Sequence, residues 1–142
     1  MPSRAALLRA FDANSNRARE GFRVCEDLVR FCLGAPAHFR RFRSLRRALD
    51  RQLARMPFGA GELARVRDSR RDPGRRVYGA SVRSVEHLLV MNLQRAKEAL
   101  RVLEETCRLI APNHVGGFQK LRFKTYDVER ALLLRLAAVR HR

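Results

Sequence analysis

The chain has 142 residues, enough for one domain with its own hydrophobic core, and no apolar run is long enough to span a membrane. It carries 31 Lys and Arg against 14 Asp and Glu, and the net charge of +17 attracts anions such as nucleic acid, acidic membranes or phosphorylated small molecules. Three cysteines without C-x-x-C spacing argue against a zinc site or a disulfide framework, and with no signal-peptide pattern they indicate a soluble cytoplasmic protein.

Helical periodicity dominates the chain, and no segment has the alternating pattern of a good strand. Apolar residues recur at every third or fourth position from Leu7 to Phe31, which predicts a first helix. The breakers Gly34-Ala35-Pro36 end it. The same reasoning predicts three further helices, at about 37–56, 82–110 and 117–139.

The segment between the second and third helices, about 57–80, is a predicted connecting loop of different composition. It holds four of the eight Gly and two of the five Pro, with a dense run of charges. A connection this long inside one domain is usually functional or disordered. Mg²⁺ prefers one or two carboxylates together with phosphate oxygens. The loop offers Arg67, Arg70 and Arg71 for phosphate, and Asp68 and Asp72 for Mg²⁺. A solvated charged linker would have the same composition.

An internal repeat relates the two halves of the chain. Residues 14–31 return 78 positions later as residues 92–109, and the matches include polar residues: Asn14 with Asn92, Arg17 with Arg95 and Glu20 with Glu98. The second and fourth helices match 76 positions apart, with Phe42-x-x-Leu45-Arg46 aligned to Phe118-x-x-Leu121-Arg122. The duplicated unit is a helical hairpin. We therefore predict a single all-α domain over residues 1–142, a four-helix bundle-like fold with hairpins at about 5–56 and 82–139.

The repeated polar residues fall on or beside the apolar face of their helices. On a helical wheel Asn14 and Asn92 lie inside the apolar arc, with Arg17 and Arg95 at its edge. A buried amide without partners costs on the order of 1–3 kcal/mol, so each Asn is expected to bond the opposite Asn, a helix end or a ligand. Gly21, on the same face, permits close helix approach or leaves room for a ligand. Structural and functional interpretations stand equal on these residues alone.

A second set of repeated charges favours a structural role. Its members are spaced for ion pairs within one helix, each worth only a few tenths of a kcal/mol. They are Arg23, Glu26 and Asp27 in the first half and Arg101, Glu104 and Glu105 in the second.

The repeat also resembles a known family. The block DANSNRAREGFRVCEDLVRF at 12–31 resembles the opening of the helical domain often fused ahead of the thiamine-phosphate synthase barrel. The resemblance continues through RDSRRDPG at 67–74, NLQRAKEALRVLEE at 92–105 and LRFKTYDVE at 121–129. That family is regarded as an alternative hydroxymethylpyrimidine-phosphate kinase. The resemblance implies transfer of the γ-phosphoryl group of ATP, with Mg²⁺, to the pyrimidine phosphate, giving the diphosphate for thiamine biosynthesis.

With this resemblance, the residues above become a candidate site. Arg17, Arg95, Glu20 and Glu98 are the expected catalytic residues, with either Glu orienting the hydroxymethyl group. Asn14, Asn92, Asn16, Arg67, Arg70 and Arg71 are expected to bind substrate, the first two by reading the aminopyrimidine edge, and Asp68 and Asp72 to bind metal.

Two departures from the family pattern affect these expectations. The synthase barrel is absent, so the domain is expected to act alone or with a separate thiamine-phosphate synthase, as a monomer or a homodimer. Pro73 also stands in the loop where an aliphatic residue is expected, and proline fixes φ and removes an N–H donor.

Two other functions stay open. The net charge of +17 suits a basic helical nucleic-acid-binding module, although the ten aromatic residues form no obvious stacking platform. The chain would equally serve as a non-catalytic pyrimidine-phosphate-binding subunit of a thiamine-phosphate synthase. A GC-rich genome would also raise the arginine content without any functional cause.

Overall fold

Five α-helices build the part of the chain that the computed structural model describes, which is residues 3–77, 79 and 81–140, with Arg140 by its backbone alone. They are α1 (Arg4–Asp27), α2 (Pro36–Ala54), α3 (Ala60–Val66), α4 (Val85–Ile110) and α5 (Val115–Arg140). No strand occurs in these residues. The prediction of an all-α, bundle-like domain is confirmed, and the four long helices end within a few residues of the predicted positions.

The helix ends follow from capping residues in the sequence. Ser3 caps α1 by accepting a hydrogen bond from the Ala6 N–H at 3.2 Å, and Ser84 caps α4 by accepting one from the His87 N–H at 3.0 Å. After α1 the chain makes a π-helical turn, Leu28–Cys32, and reverses at Gly34, whose φ of 55° is left-handed.

The connecting loop is more ordered than its composition suggested. It contains the short helix α3 and two 3₁₀ turns, Ser69–Arg71 and Pro73–Arg76. Leu63 and Val66 of α3 are half-buried against the core beside α1. A seven-residue helix is too short to show a helical period in the sequence, which is why it was missed.

The two halves pack through their first helices. α1 lies against α4, α2 packs on α1, α5 packs on α4, and α2 also meets α5. Cys25 Sγ donates to the Leu89 carbonyl at 3.6 Å, and Gly21 lies against Asn92 and Ala96. Across these contacts the residue numbers in α1 decrease as those in α4 increase, so the two helices run antiparallel.

This register locates the symmetry of the repeat. It sets Ala18 opposite Ala96, and both residues are fully buried. The two alanines are equivalent in the repeat. The pseudo-twofold axis implied by the duplication therefore passes between them, through the α1–α4 contact.

Gly21 is required for the close approach of α1 and α4. A Cβ added there would lie 2.9 Å from the Asn92 carbonyl oxygen and 3.1 Å from the Ala96 Cβ, and helix backbone cannot give way cheaply. We expect Gly21→Ala to destabilise the protein by about 1–3 kcal/mol, as overpacking of a tight core does. Urea unfolding followed by circular dichroism measures the change.

Gly116 is the matched control for this substitution. It lies in α5 with no atom within 4 Å of an added Cβ. Gly116→Ala should leave stability unchanged or raise it by up to about 1 kcal/mol, because alanine has the higher helix propensity. Equal unfolding free energies for the two variants would contradict the close packing at Gly21.

Each hairpin is closed by a buried ion pair. Arg46 donates to Glu26 at 2.6 and 3.2 Å, and Arg122 donates to Glu104 at 3.1 Å through two nitrogens. The two carboxylates, only 4% and 3% exposed, had been expected to pair within their own helix. Arg101 does approach Glu104 at 3.3 Å, but the main partner comes from the neighbouring helix. The predicted pairing within one helix is therefore wrong for Glu26. For Glu104 it is confirmed by Arg101, and Arg122 of the neighbouring helix adds the closer contact.

Several exposed apolar side chains lie along the C-terminal half of α5. Leu133, Leu134 and Val139 are about half exposed there. Among the described residues, no helix combines the length and hydropathy that crossing a membrane requires.

Candidate functional site

A cleft of about 630 Å³ opens between α1 and α4. The connecting loop lines it with Val77 and Gly79. The two helices contribute the repeated polar residues: Asn14, Arg17, Glu20 and Gly21 from α1, and Asn92, Arg95, Glu98, Ala99 and Val102 from α4. The structure thus brings together the four predicted catalytic residues and both predicted base-reading asparagines.

The antiparallel register explains how these residues are arranged. Arg17 and Arg95 each lie one residue from the alanines at the pseudo-twofold axis, within about 1.5 Å of it along the helix. Toward one end, Asn14 of α1 faces the part of α4 that carries Glu98. Toward the other end, Asn92 of α4 faces the part of α1 that carries Glu20. Each end of the cleft therefore has an amide and a carboxylate, with the two arginines between them.

The asparagines are held by their own helices. Asn14 Nδ2 donates to the Ala10 carbonyl and Asn92 Nδ2 to the Leu88 carbonyl, both at 2.8 Å, four residues back. This corrects the expectation that each would need the opposite Asn, a helix end or a ligand. One N–H and the amide oxygen of each residue keep no protein partner in the described part of the chain. Both side chains are thus oriented, yet each retains one donor and one acceptor at the cleft.

Arg17 and Arg95 are exposed and form no ion pair with any described residue. A Cβ added to Gly79 would lie 3.1 Å from Arg95 Nη2, so the connecting loop passes close to that guanidinium. Guanidinium groups that line the same cleft repel each other and are stabilised by an anion bound between them. The centre of the cleft is therefore suited to phosphate.

The two cleft glutamates, Glu20 and Glu98, differ in the hydrogen bonds that orient their side chains. Glu98 accepts a hydrogen bond from Gln94 Nε2 at 3.0 Å. Gln94 is the repeat equivalent of Asn16, which is half-buried and outside the cleft lining. The structure does not bring Asn16 into the site. Gln94, which the sequence interpretation missed, also lies outside the cleft lining, but it supports the cleft residue Glu98 through this hydrogen bond. The signal was present in the repeat, where both residues stand four positions before a cleft glutamate.

Arg67 lies away from the cleft because a buried carboxylate holds it. Its Nε and Nη2 donate to Asp12 at 2.6 and 2.9 Å, and the Asp12 side chain is only 8% exposed. These hydrogen bonds raise the pKa of Arg67 above its ordinary value. Both residues border a separate pocket of about 320 Å³ beside Phe58. Arg67 thus fastens the connecting loop to α1, and the expectation that it contacts the same ligand as Arg17 is not supported.

The remaining loop candidates are solvent-exposed and do not line the cleft. Arg70 has no partner among described residues, and Arg71 reaches Asp68 only at 3.8 Å. Asp72 accepts from the Gly74 N–H at 2.8 Å and so caps the turn that Pro73 begins. Pro73 fits this first turn position, where no N–H is needed.

A slightly larger groove of about 740 Å³ lies between the start of α4 and the end of α5. It is lined equally by apolar side chains such as Val90 and Leu133 and by polar ones such as Arg83 and Glu86, and it contains none of the predicted site residues. In the described chain, no three His, Cys, Asp or Glu side chains are grouped to hold a metal ion. The cleft between α1 and α4 is therefore the better candidate site.

Comparison with known proteins gives one family and several relatives. Residues 9–131 match the ThiD2 family. The chain is 37% identical to a thiamine-phosphate synthase of Gloeobacter violaceus, over 94% of this chain and 40% of that protein. It is 38% identical to one of Synechocystis, over 92% and 37%, and 30% identical to one of Rhodopirellula baltica, over 96% and 36%. The chain spans about two fifths of the length of these relatives. No solved structure matches it at a significant level.

Proposed function

The chain belongs to the ThiD2 family, and we propose that it is an ATP-dependent kinase that converts hydroxymethylpyrimidine phosphate to the diphosphate in thiamine biosynthesis. Its relatives are named thiamine-phosphate synthases, which supports a role in thiamine biosynthesis. The observation that carries the kinase proposal is the cleft, where the Asn and Glu of both repeats lie around two arginines that form no ion pair with a described residue. Phosphoryl transfer depends mainly on positioning and on neutralising charge, which such residues supply.

The reaction needs no strong base from the protein. The hydroxymethyl oxygen of the substrate already carries the phosphate, so a phosphate oxygen is the nucleophile. A phosphate monoester has a second pKa of about 6 and is mostly dianionic at neutral pH. That oxygen bonds to the γ-phosphorus, the bond from the γ-phosphorus to the bridging oxygen breaks, and ADP leaves. Glu20 and Glu98, expected to orient a hydroxymethyl group, would instead hold Mg²⁺ against the phosphates, because a carboxylate repels phosphate unless a cation lies between them.

The arginines perform the main electrostatic role in this proposal. The two phosphate chains repel each other as they approach, and the transferring group spreads its charge over its outer oxygens. Arg17 and Arg95 offset both effects by donating to those oxygens from either side of the axis. Arg binds phosphate oxygens through two parallel N–H groups, which fixes orientation as well as charge.

The carboxylates suited to Mg²⁺ are those of the cleft. Mg²⁺ takes one or two carboxylates together with phosphate oxygens and water, and Glu20 and Glu98 flank the arginines where phosphates would bind. Mg²⁺ bound there would neutralise charge on the ATP phosphates. Asp68 and Asp72, outside the cleft lining, are the weaker candidates for this role.

One assay tests the proposed activity directly. The protein is incubated with ATP, Mg²⁺ and hydroxymethylpyrimidine phosphate, and ³¹P NMR follows the products. We expect the signals of a pyrimidine diphosphate and of ADP to grow together. Binding of the pyrimidine phosphate without turnover would instead favour the non-catalytic subunit of a synthase.

The nucleic-acid alternative makes a different prediction. If the positive charge serves small phosphorylated ligands, binding of random DNA or RNA should be weak at about 0.15 M salt, because non-specific phosphate contacts fade steeply with salt. Fluorescence anisotropy with labelled oligonucleotides measures this. Submicromolar RNA binding that survives about 0.3 M salt would support the nucleic-acid-binding module.

A further inference from the structure

The two asparagines of the cleft present the same chemistry twice. Each spends one N–H on a carbonyl of its own helix, and each keeps one N–H donor and one carbonyl acceptor. The polar groups left on Asn14 match those left on Asn92, and the repeat relates the two residues. A duplicated recognition element of this kind predicts two ligands, or two parts of one ligand, with the same polar edge.

The two substrates of the proposed reaction share such an edge. Adenine and the substrate pyrimidine both carry an amino group beside a ring nitrogen, which offers a donor next to an acceptor. Asn reads this edge with its amide, as in the bidentate contacts that proteins make with adenine. A duplicated amide therefore suits a reaction in which both substrates carry an aminopyrimidine ring and a phosphate. In ATP that ring is part of adenine.

The spacing within the cleft suits two ligands joined at their phosphates. Asn14 lies four residues from the axis at Ala18, and Asn92 lies four residues from Ala96 on the other side. At 1.5 Å per residue the two amides are about 12 Å apart along the helices. Arg17 and Arg95 occupy the space between them. Two bases at the ends would direct their phosphates toward the arginines at the centre.

The cleft is not fully symmetric, so its two ends can hold different ligands. Val102 lines the end near Asn14, whereas its repeat equivalent, Val24, does not line the cleft. Val77 and Gly79 of the connecting loop have no counterpart in the other half, and Gly79 comes close to Arg95. These additions give the two ends different shapes while leaving the amides equivalent.

We propose that the cleft contains two half-sites related by the pseudo-twofold axis, each binding one aminopyrimidine phosphate. Asn14 binds the base edge of one ligand and Asn92 that of the other, and the phosphates meet between Arg17 and Arg95. This inference rests on the proposed function for the identity of the two ligands, ATP and the pyrimidine monophosphate.

Titration calorimetry tests the two half-sites. The probes are a non-hydrolysable ATP analogue and hydroxymethylpyrimidine phosphate, each with Mg²⁺, added alone and then to the protein saturated with the other. We expect one molecule of each to bind per chain at the same time. Competition between them, with one total site per chain, would overturn the proposal.

Substitution of each asparagine should separate the two ligands. Asn14→Ala is expected to weaken the binding of one ligand about 10- to 100-fold and to leave the binding of the other nearly unchanged. Asn92→Ala should have the reverse effect. Asn113→Ala, in the exposed turn before α5, is the control and should bind both ligands normally. If both cleft variants weaken the same ligand, the half-sites are wrong.

A ligand-side measurement avoids any folding defect in the variants. Inosine triphosphate carries a carbonyl oxygen in place of the adenine amino group, and its neighbouring ring nitrogen carries a hydrogen. The donor and the acceptor at that edge are therefore both reversed. The wild-type protein should bind its non-hydrolysable analogue at least about 10-fold more weakly than the adenine analogue. Equal affinity would contradict reading of the amino edge.

The outcomes also separate this inference from the kinase proposal. A wild-type chain that binds both ligands together without forming diphosphate contradicts the kinase and supports the half-sites. A chain that forms diphosphate, yet in which Asn14→Ala and Asn92→Ala raise the KM of the same substrate, supports the kinase and contradicts the half-sites.

Discussion

Replacing Arg17 or Arg95 with Ala is expected to lower the rate of phosphoryl transfer about 100- to 1000-fold, the usual loss when one donor to a developing charge is removed. Both guanidinium groups lie beside the pseudo-twofold axis of the cleft, where no described carboxylate pairs with them. Steady-state kinetics with varied ATP and pyrimidine phosphate measure kcat and KM. The loss should fall mainly on kcat, because the charge to be neutralised is largest in the transition state.

The stability of these variants should barely change. Both side chains are exposed and make no ion pair among described residues, so their removal should alter the unfolding free energy by less than about 0.5 kcal/mol. Arg23→Ala is the matched control, since Arg23 is also exposed on α1 but pairs with Asp27 on the outer face at 3.4 Å. It should keep nearly full activity. An Arg17→Ala protein that unfolds while its folded fraction turns over normally would show that Arg17 is structural.

Most of the fold follows from the sequence because the signals are local or repeated. The helical period of the long helices and the breakers at Gly34 and Pro112 locate the helices without any tertiary information. The repeat adds one long-range fact, that the two halves are alike. It does not say which faces meet, and the α1–α4 contact is defined by tertiary neighbours such as Gly21 with Ala96 and Cys25 with Leu89.

The candidate site also has a part that could be predicted from the sequence and a part that could not. The cleft residues of the two helices could be predicted because polar groups recur beside an apolar face, which composition alone would not produce. The positions of the loop residues could not be predicted, since nothing local in the sequence indicates that Arg67 pairs with Asp12, 55 positions away. A helical wheel also represents one helix at a time and gives no information about neighbouring helices. It puts Glu26 near Arg23 and Arg30, three and four residues away, and cannot show that Arg46 of α2 pairs with it.

Glu104→Ala is expected to be the most destabilising single substitution of a charged residue, at about 3–5 kcal/mol. It would leave the Arg122 guanidinium, only 10% exposed, without its charge partner and with Tyr126 as its remaining acceptor. Hydrogen bonds to Glu104, and then to Tyr126, raise the pKa of Arg122, so it stays charged in the folded protein. Urea unfolding at neutral pH gives the change in free energy.

Two comparisons show whether burial of the partner causes this loss. Glu26→Ala should cost less, because Arg46 is 23% exposed and regains water more easily than Arg122. Glu105→Ala should cost less than about 1 kcal/mol, since Glu105 is 42% exposed and its ion pairs with α4 arginines are screened. If Glu104→Ala is as mild as Glu105→Ala, the buried pair does not hold α5 on α4.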